Sequence, residues 1–253
     1  MSNNSAEFSL LNATKMASFV GVPLTLFATW LVQGATDDMK IQTDFAWKFG
    51  LWYALFCFVG SWLIYFRYRK SKLFMPGVIN AFIGASGIFS VLGFSMFFFY
   101  FGFAPMPMWA HILGVGGGLG LSIYWGYLVW GDVMTALHKG DLLSRIYVEK
   151  EDAIYYMYRS IKNKKSLSDR TPFKSFHFYA AMLVAPLVVV LNRVLTPYTG
   201  SGHGVFMVLS FFGLPLILTM VGFAVQFYIL GIYYPIKLKR QTGKSVVVPD
   251  EDF

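Results

Sequence analysis

Long apolar runs without charge dominate the chain and predict membrane spans. The runs at residues 76–103 and 108–131 contain no Asp, Glu, Lys or Arg, and they are joined by the short turn 104–107. A helix of about 20 apolar residues is long enough to cross the apolar core of a bilayer. We therefore expect a polytopic membrane protein in which these two runs form antiparallel neighbouring helices.

The same pattern predicts an all-α integral membrane bundle of six transmembrane helices. The spans fall at about residues 16–33, 47–66, 76–101, 107–130, 173–195 and 205–235. The first run resembles the apolar part of a signal peptide, but the weak basic start at Lys15 and the early Pro23 favour an uncleaved span. The last run would extend about 46 Å as a helix, so it must tilt, kink at Pro215 or protrude from the bilayer.

The placement of charge predicts the orientation. With the N-terminus inside, 18 of the 21 Lys and Arg residues lie in inner segments, as expected when basic loops stay in the cytoplasm. We expect a multi-pass protein of a bacterial inner membrane with both termini cytoplasmic. The predicted parts are a tail at 1–15, a four-helix half at 16–131, a polar segment at 132–172, a two-helix half at 173–235 and a disordered tail at 236–253.

The polar segment contains an amphipathic pattern. Ile154, Met157, Tyr158 and Ile161 have the spacing of one helix face, which predicts a cytoplasmic amphipathic helix between spans four and five. Such a helix either lies on the inner leaflet, with lysines near anionic lipid, or forms a docking surface for a cytoplasmic partner. Ile154 and Tyr158 are the candidate contact residues under the second interpretation.

A glycine cluster opens the fourth span. Gly114 with Gly118, and Gly116 with Gly120, form two overlapping GxxxG motifs, which allow close approach of another helix. The dinucleotide pattern G-x-G-x-x-G does not fit, since Leu119 stands where its last glycine belongs. We expect packing against the small residues of span three, and an oligomer interface is the alternative. These small residues are Ala81, Gly84 and Ala85.

Composition narrows the function classes. Hydrophobic residues make up 56% of the chain and charged residues 13%, and the net charge of +8 lies at the ends of the apolar runs. This placement suits a lipid bilayer and argues against nucleic acid. The single cysteine, Cys57, excludes an internal disulfide.

Few side chains have the type and spacing of a catalytic or metal-binding site. No histidine pair has the spacing of a helical zinc or diiron site, although His138 with His177, or His111 with His203, could lie at similar depth. No carboxylate lies inside a span, and we expect neither a cofactor nor enzymatic activity. Asn80 is deep enough in span three to need a partner, and His111 is the other polar residue of chemical interest in this pair of spans. The predicted topology puts the two at opposite ends of the bundle.

The expected function is therefore contact between proteins in the membrane. Two concrete versions are an immunity protein that blocks a pore-forming toxin and an accessory subunit of a membrane complex. The alternative is a small transporter of a neutral or apolar solute. A polar cavity at mid-depth, reached by Asn80 and His111, would favour transport, whereas a solid bundle would exclude it.

Overall fold

The fold is mostly helical. The computed structural model describes residues 10–139, 142–157, 167, 170–173, 179, 190, 193–194, 196 and 202–249. Within these residues, five helices are long and apolar enough to cross a membrane: α1 Leu10–Asp38, α2 Phe45–Tyr68, α3 Phe74–Phe103, α4 Met108–His138 and α6 His203–Thr242. They confirm a mostly helical fold, with helices long and apolar enough to cross a membrane at five of the six predicted positions. Most of the predicted fifth span, 173–195, lies outside the described residues.

The helices are longer than the apolar runs that predict them. In α1, the hydroxyl of Thr14 donates to the carbonyl of Leu10 and that of Thr36 to the carbonyl of Val32. Such bonds satisfy polar side chains inside an apolar helix.

The 40 residues of α6 span about 60 Å, so this helix extends beyond the apolar core of a bilayer. Its last turns carry Lys237, Lys239 and Arg240.

Helix α3 is the centre of the bundle. It packs against α1 and α2 on one side and against α6 on another, while α4 packs mainly against α6. The hydroxyl of Ser210 in α6 donates to the carbonyl of Met96 in α3 at 2.9 Å. A π-helical segment interrupts α1, α3, α4 and α6 in turn, at Ala17–Gly21, Ser90–Phe98, Ile112–Gly116 and Ile229–Tyr233. Each π turn shifts the helix face that follows it.

A small sheet closes one end of the bundle, which we call the sheet end. After the short helix α5 (Leu142–Ile146), strand β1 (Tyr147–Glu149) pairs antiparallel with β2 (Ile154–Tyr156), and β2 pairs parallel with β3 (Val246–Val247). The ring of Tyr156 stacks on Phe74 at the start of α3, with 4.0 Å between centroids. The hydroxyl of Tyr147 donates to the carbonyl of Leu230, and burial raises the pKa of Tyr147, so the phenol stays a neutral donor.

This sheet corrects two predictions. Ile154 was expected to begin an amphipathic helix, but it lies buried in the middle strand. The β-branched and aromatic residues Ile154–Tyr156 gain ladder partners on both sides, which outweighs their helical spacing. Tyr158 lies outside the described residues. The tail was expected to be disordered, but α6 continues to Thr242 and Val246 is buried in β3.

Candidate functional site

The glycines of α4 divide between two faces. A Cβ atom at Gly114 would lie 2.1 Å from the ring of Phe101, and one at Gly118 would lie 2.5 Å from the ring of Phe97, so this face packs tightly on α3. The expected packing on span three is found for Gly114 and Gly118, but their partners are phenylalanine rings and not small residues. Gly84 instead faces α1, where a Cβ on Gly84 would lie 3.3 Å from the backbone of Ala17.

Three other glycines near the start of α4 have no close neighbour among the described atoms. A Cβ at Gly116, Gly117 or Gly120 would meet no described atom within 4 Å. These glycines share a stripe at helical spacing with exposed large residues, which together we call the open face of α4. The open face consists of Leu113, Gly116, Gly117, Gly120, Tyr124 and Tyr127. Among the described spans, α4 is the least buried.

The exposed surface of α2 gives a useful contrast. Phe49, Trp52 and Phe56 are exposed there, with Trp52 at 71% and Phe56 at 70%. Large aromatic side chains lie on the exposed surface of α2, whereas two successive turns of α4 present glycine, at Gly116 and Gly117 and at Gly120. These two helices therefore expose very different surfaces.

His111 caps the end of α3. Its Nδ1–H donates to the carbonyl of Phe101 at 2.6 Å. The helical partner of that carbonyl would be the residue four positions later, which is Pro105 and has no N–H. His111 thus supplies the donor that proline removes, and it ties the start of α4 to the end of α3.

Asn80 anchors α3 to two other helices. Its side chain is fully buried, and Nδ2 donates to Thr14 Oγ1 of α1 at 2.7 Å and to the Ser61 carbonyl of α2 at 3.1 Å. The hydroxyls of Ser18 and Ser61 lie 3.4 Å apart beside this contact. Among the described residues, Asn80 Oδ1 has no hydrogen-bond partner.

The remaining histidines have separate surroundings. His203 begins α6, is buried, and has Nδ1 at 3.3 Å from the hydroxyl of Tyr100. His138 is exposed and its Nδ1–H donates to the carbonyl of Met134 at 2.6 Å. His177 lies outside the described residues. Within the part of the chain that the structure describes, no cluster of three His, Cys, Asp or Glu residues could hold a metal ion.

A cavity of about 170 Å³ lies between α1, α2 and α3. It lies beside the first turns of α2 and the middle of α3. Its apolar lining comes from Phe49, Phe89, Phe94 and smaller residues. Its hydroxyl lining comes from Thr25, Thr29, Tyr53, Ser86 and Ser90. Neither Asn80 nor His111 is among the lining residues, so the structure does not join the two predicted polar residues into one site.

Sequence reasoning missed this cavity, although a signal was present. Thr25 and Thr29 are four residues apart, as are Ser86 and Ser90, so each pair faces one way from its helix.

Comparisons with family models, with curated proteins and with solved structures give no match. The function is therefore inferred from the geometry of these features.

Proposed function

We propose that this protein acts without catalysis, by binding a transmembrane helix of a partner protein through the open face of α4. The observation that carries the proposal is the difference between the two glycine faces of one helix. Phenylalanine rings of the same chain pack on Gly114 and Gly118, while no described residue packs on Gly116, Gly117 or Gly120. One glycine face of α4 thus packs against another helix of this chain, and the second glycine face can pack against a helix of a partner.

The physics of helix association in lipid supports this occupant. Lipid tails are as apolar as leucine, so helices associate through close packing and backbone contact, for which small residues are favoured. The three glycines bring the backbone of α4 to the surface, and Leu113 and Tyr127 flank them, 66% and 74% exposed. A helix fits such a groove, whereas the aromatic surface of α2 suits lipid.

The polar residues of the spans also favour a role in contact over chemistry. Asn80, His111 and His203 each have a partner within the chain. Their bonds join helices to one another and leave these groups committed to structure. An immunity protein against a pore-forming toxin, or an accessory subunit of a membrane complex, are the two concrete versions of this function.

The proposed setting is a bacterial inner membrane with the sheet end in the cytoplasm. Among the described basic residues, Lys40 lies between α1 and α2, and Lys48 lies in the first turn of α2. Both are at the end of the bundle opposite to the sheet end. Most others lie near the sheet end, as the positive-inside rule requires. They are Lys15, Arg67, Arg69, Lys70, Lys72, Lys139, Arg145, Lys150, Lys237, Lys239, Arg240 and Lys244.

Leucine substitutions at adjacent glycines test the proposal. We expect Gly117→Leu to keep the free energy of unfolding within about 1 kcal/mol of the parent chain and to release the partner. Gly118→Leu is expected to lose about 1–3 kcal/mol, because its side chain meets Phe97. The free energy of unfolding is measured by reversible unfolding. The complex with the partner is detected by native mass spectrometry of nanodiscs formed from the source membrane.

The masses of the complexes decide the outcome. The proposal expects a complex of the 28.6 kDa chain with a different protein, which Gly117→Leu abolishes. A complex that survives Gly117→Leu contradicts the proposal. So does a mass that is a whole multiple of the chain, because it shows a homo-oligomer instead of a partner.

A small transporter of a neutral or apolar solute is the second candidate, and the cavity between α1, α2 and α3 favours it. The cavity has a hydroxyl lining, but Asn80 and His111 do not line it. Ala28→Leu would fill the cavity and leave α4 unchanged. A solute-dependent function would be lost in this variant, whereas a function based on the open face of α4 would persist.

A further inference from the structure

We infer that the cavity between α1, α2 and α3 is a binding site for one small, uncharged aromatic molecule that carries a hydrogen-bond donor, such as a phenol. This site is separate from the open face of α4, so the inference does not depend on the proposed function. Its basis is the size of the cavity, the state of its hydroxyl groups, its lack of charge and its position beside the bilayer.

The volume of the cavity suits a single ring system. The cavity volume is about 170 Å³. An engineered apolar cavity of about 150 Å³ stays dry and accepts benzene. A benzene ring with one or two added atoms therefore fits between α1, α2 and α3, whereas a molecule the size of a sugar phosphate does not.

The hydroxyl groups of the cavity can accept hydrogen bonds. Thr25 and Thr29 donate to carbonyls one turn earlier in α1, at 2.9 and 2.8 Å. Ser86 and Ser90 donate in the same way within α3, at 2.6 and 2.9 Å. Each of these four hydroxyls has one hydrogen, already committed to the backbone, and Thr25, Thr29 and Ser90 keep oxygen lone pairs that can accept. The group on a ligand that matches these three oxygens is therefore a donor.

Charge excludes ionic occupants. The twelve lining residues include no Asp, Glu, Lys, Arg or His. An unpaired charge at this depth would be costly, since neither water nor a counter-charge compensates it. The ligand must be uncharged, with its donor directed at the threonine and serine oxygens and its ring against Phe89 and Phe94.

The surroundings of the cavity explain how it stays open and how a ligand enters. A Cβ at Gly50 would lie 2.3 Å from Thr29 Oγ1, so this glycine lets α2 approach the threonine wall. The π-helical segment of α3 begins at Ser90, one of the lining residues. Phe49 and Phe89 are partly exposed on the outside of the helices, so the ligand reaches the cavity from the bilayer.

Phenol and toluene provide the test because they have nearly the same shape and differ in the donor. Binding of each is measured by saturation-transfer NMR on the full chain in nanodiscs. We expect Thr29→Val to weaken phenol binding about 5- to 10-fold, the effect of one lost hydrogen bond, and to leave toluene binding unchanged. Ala28→Leu is expected to abolish the binding of both probes by filling the space.

Thr36→Val is the matched control. Thr36 lies on the same helix, is buried, and bonds one turn back like Thr29, but it is not a lining residue. We expect it to leave phenol binding unchanged, with near-ultraviolet circular dichroism showing that all variants fold. Equal losses of phenol and toluene in Thr29→Val would overturn the inference, as would phenol binding that survives Ala28→Leu or an absence of phenol binding to the parent chain.

Discussion

Gly87→Ala is expected to be the most damaging single-methyl substitution in the bundle, with a loss of about 3 kcal/mol in the free energy of unfolding. A Cβ at Gly87 would lie 2.1 Å from the carbonyl oxygen of Gly21 and 2.7 Å from its Cα. Both atoms belong to backbone, so no side chain can turn aside and α1 must separate from α3. The same separation would disturb the walls of the cavity.

Gly102→Ala is the control for Gly87, because it lies on the same helix and its Cβ would meet no described atom within 4 Å. It should be neutral or stabilise the helix by up to about 1 kcal/mol. Both variants are measured by reversible unfolding of the full chain in mixed micelles. Equal stabilities of the two variants would show that α1 and α3 do not approach as closely as described.

Asn80→Ala is expected to cost about 2 kcal/mol. The substitution removes two interhelical donations, to Thr14 in α1 and to the Ser61 carbonyl in α2. Interhelical hydrogen bonds in a membrane protein average about 0.6 kcal/mol and reach about 1.7, and the cavity left behind adds to the loss. The expected loss therefore exceeds that of either bond alone.

A double-mutant cycle separates the hydrogen bond of Asn80 from the lost volume. Asn80→Ala and Thr14→Val should couple by about 0.6–1.7 kcal/mol, because they remove the same contact. Asn80→Ala and Thr36→Val should be additive, since Thr36 donates to Val32 of its own helix. A zero coupling between positions 80 and 14 would contradict the described anchor.

The positions of these helices could be predicted because a long apolar run without charge is a local signal. Residues 76–103 carry no charge, and α3 is found at Phe74–Phe103. The prediction failed where the outcome depends on which helices meet. Nothing local distinguishes Gly118, which packs on Phe97, from Gly117 beside it, which meets no atom in the described part of the chain.

The small sheet at the sheet end of the bundle shows the same limit of prediction from the local sequence. The spacing of Ile154 and Met157 fits a helix, but β2 is completed by β3, which is about ninety residues further along the chain. The cavity also depends on three helices, since its threonines come from α1 and its serines from α3. Pairings across such distances are set by tertiary packing and leave little trace in a local pattern.

Photo-crosslinking from the open face of α4 tests the central claim most directly. A benzoylphenylalanine at Leu113, beside the uncovered glycines, is activated in the source membrane, with Phe56 of α2 as the lipid-facing control. The proposal predicts that position 113 yields one adduct, that its peptide comes from a transmembrane segment of a single other protein, and that Gly117→Leu abolishes it. Adducts only with lipid, adducts with residues 173–195 of the same chain, or the same products from positions 113 and 56 would contradict it.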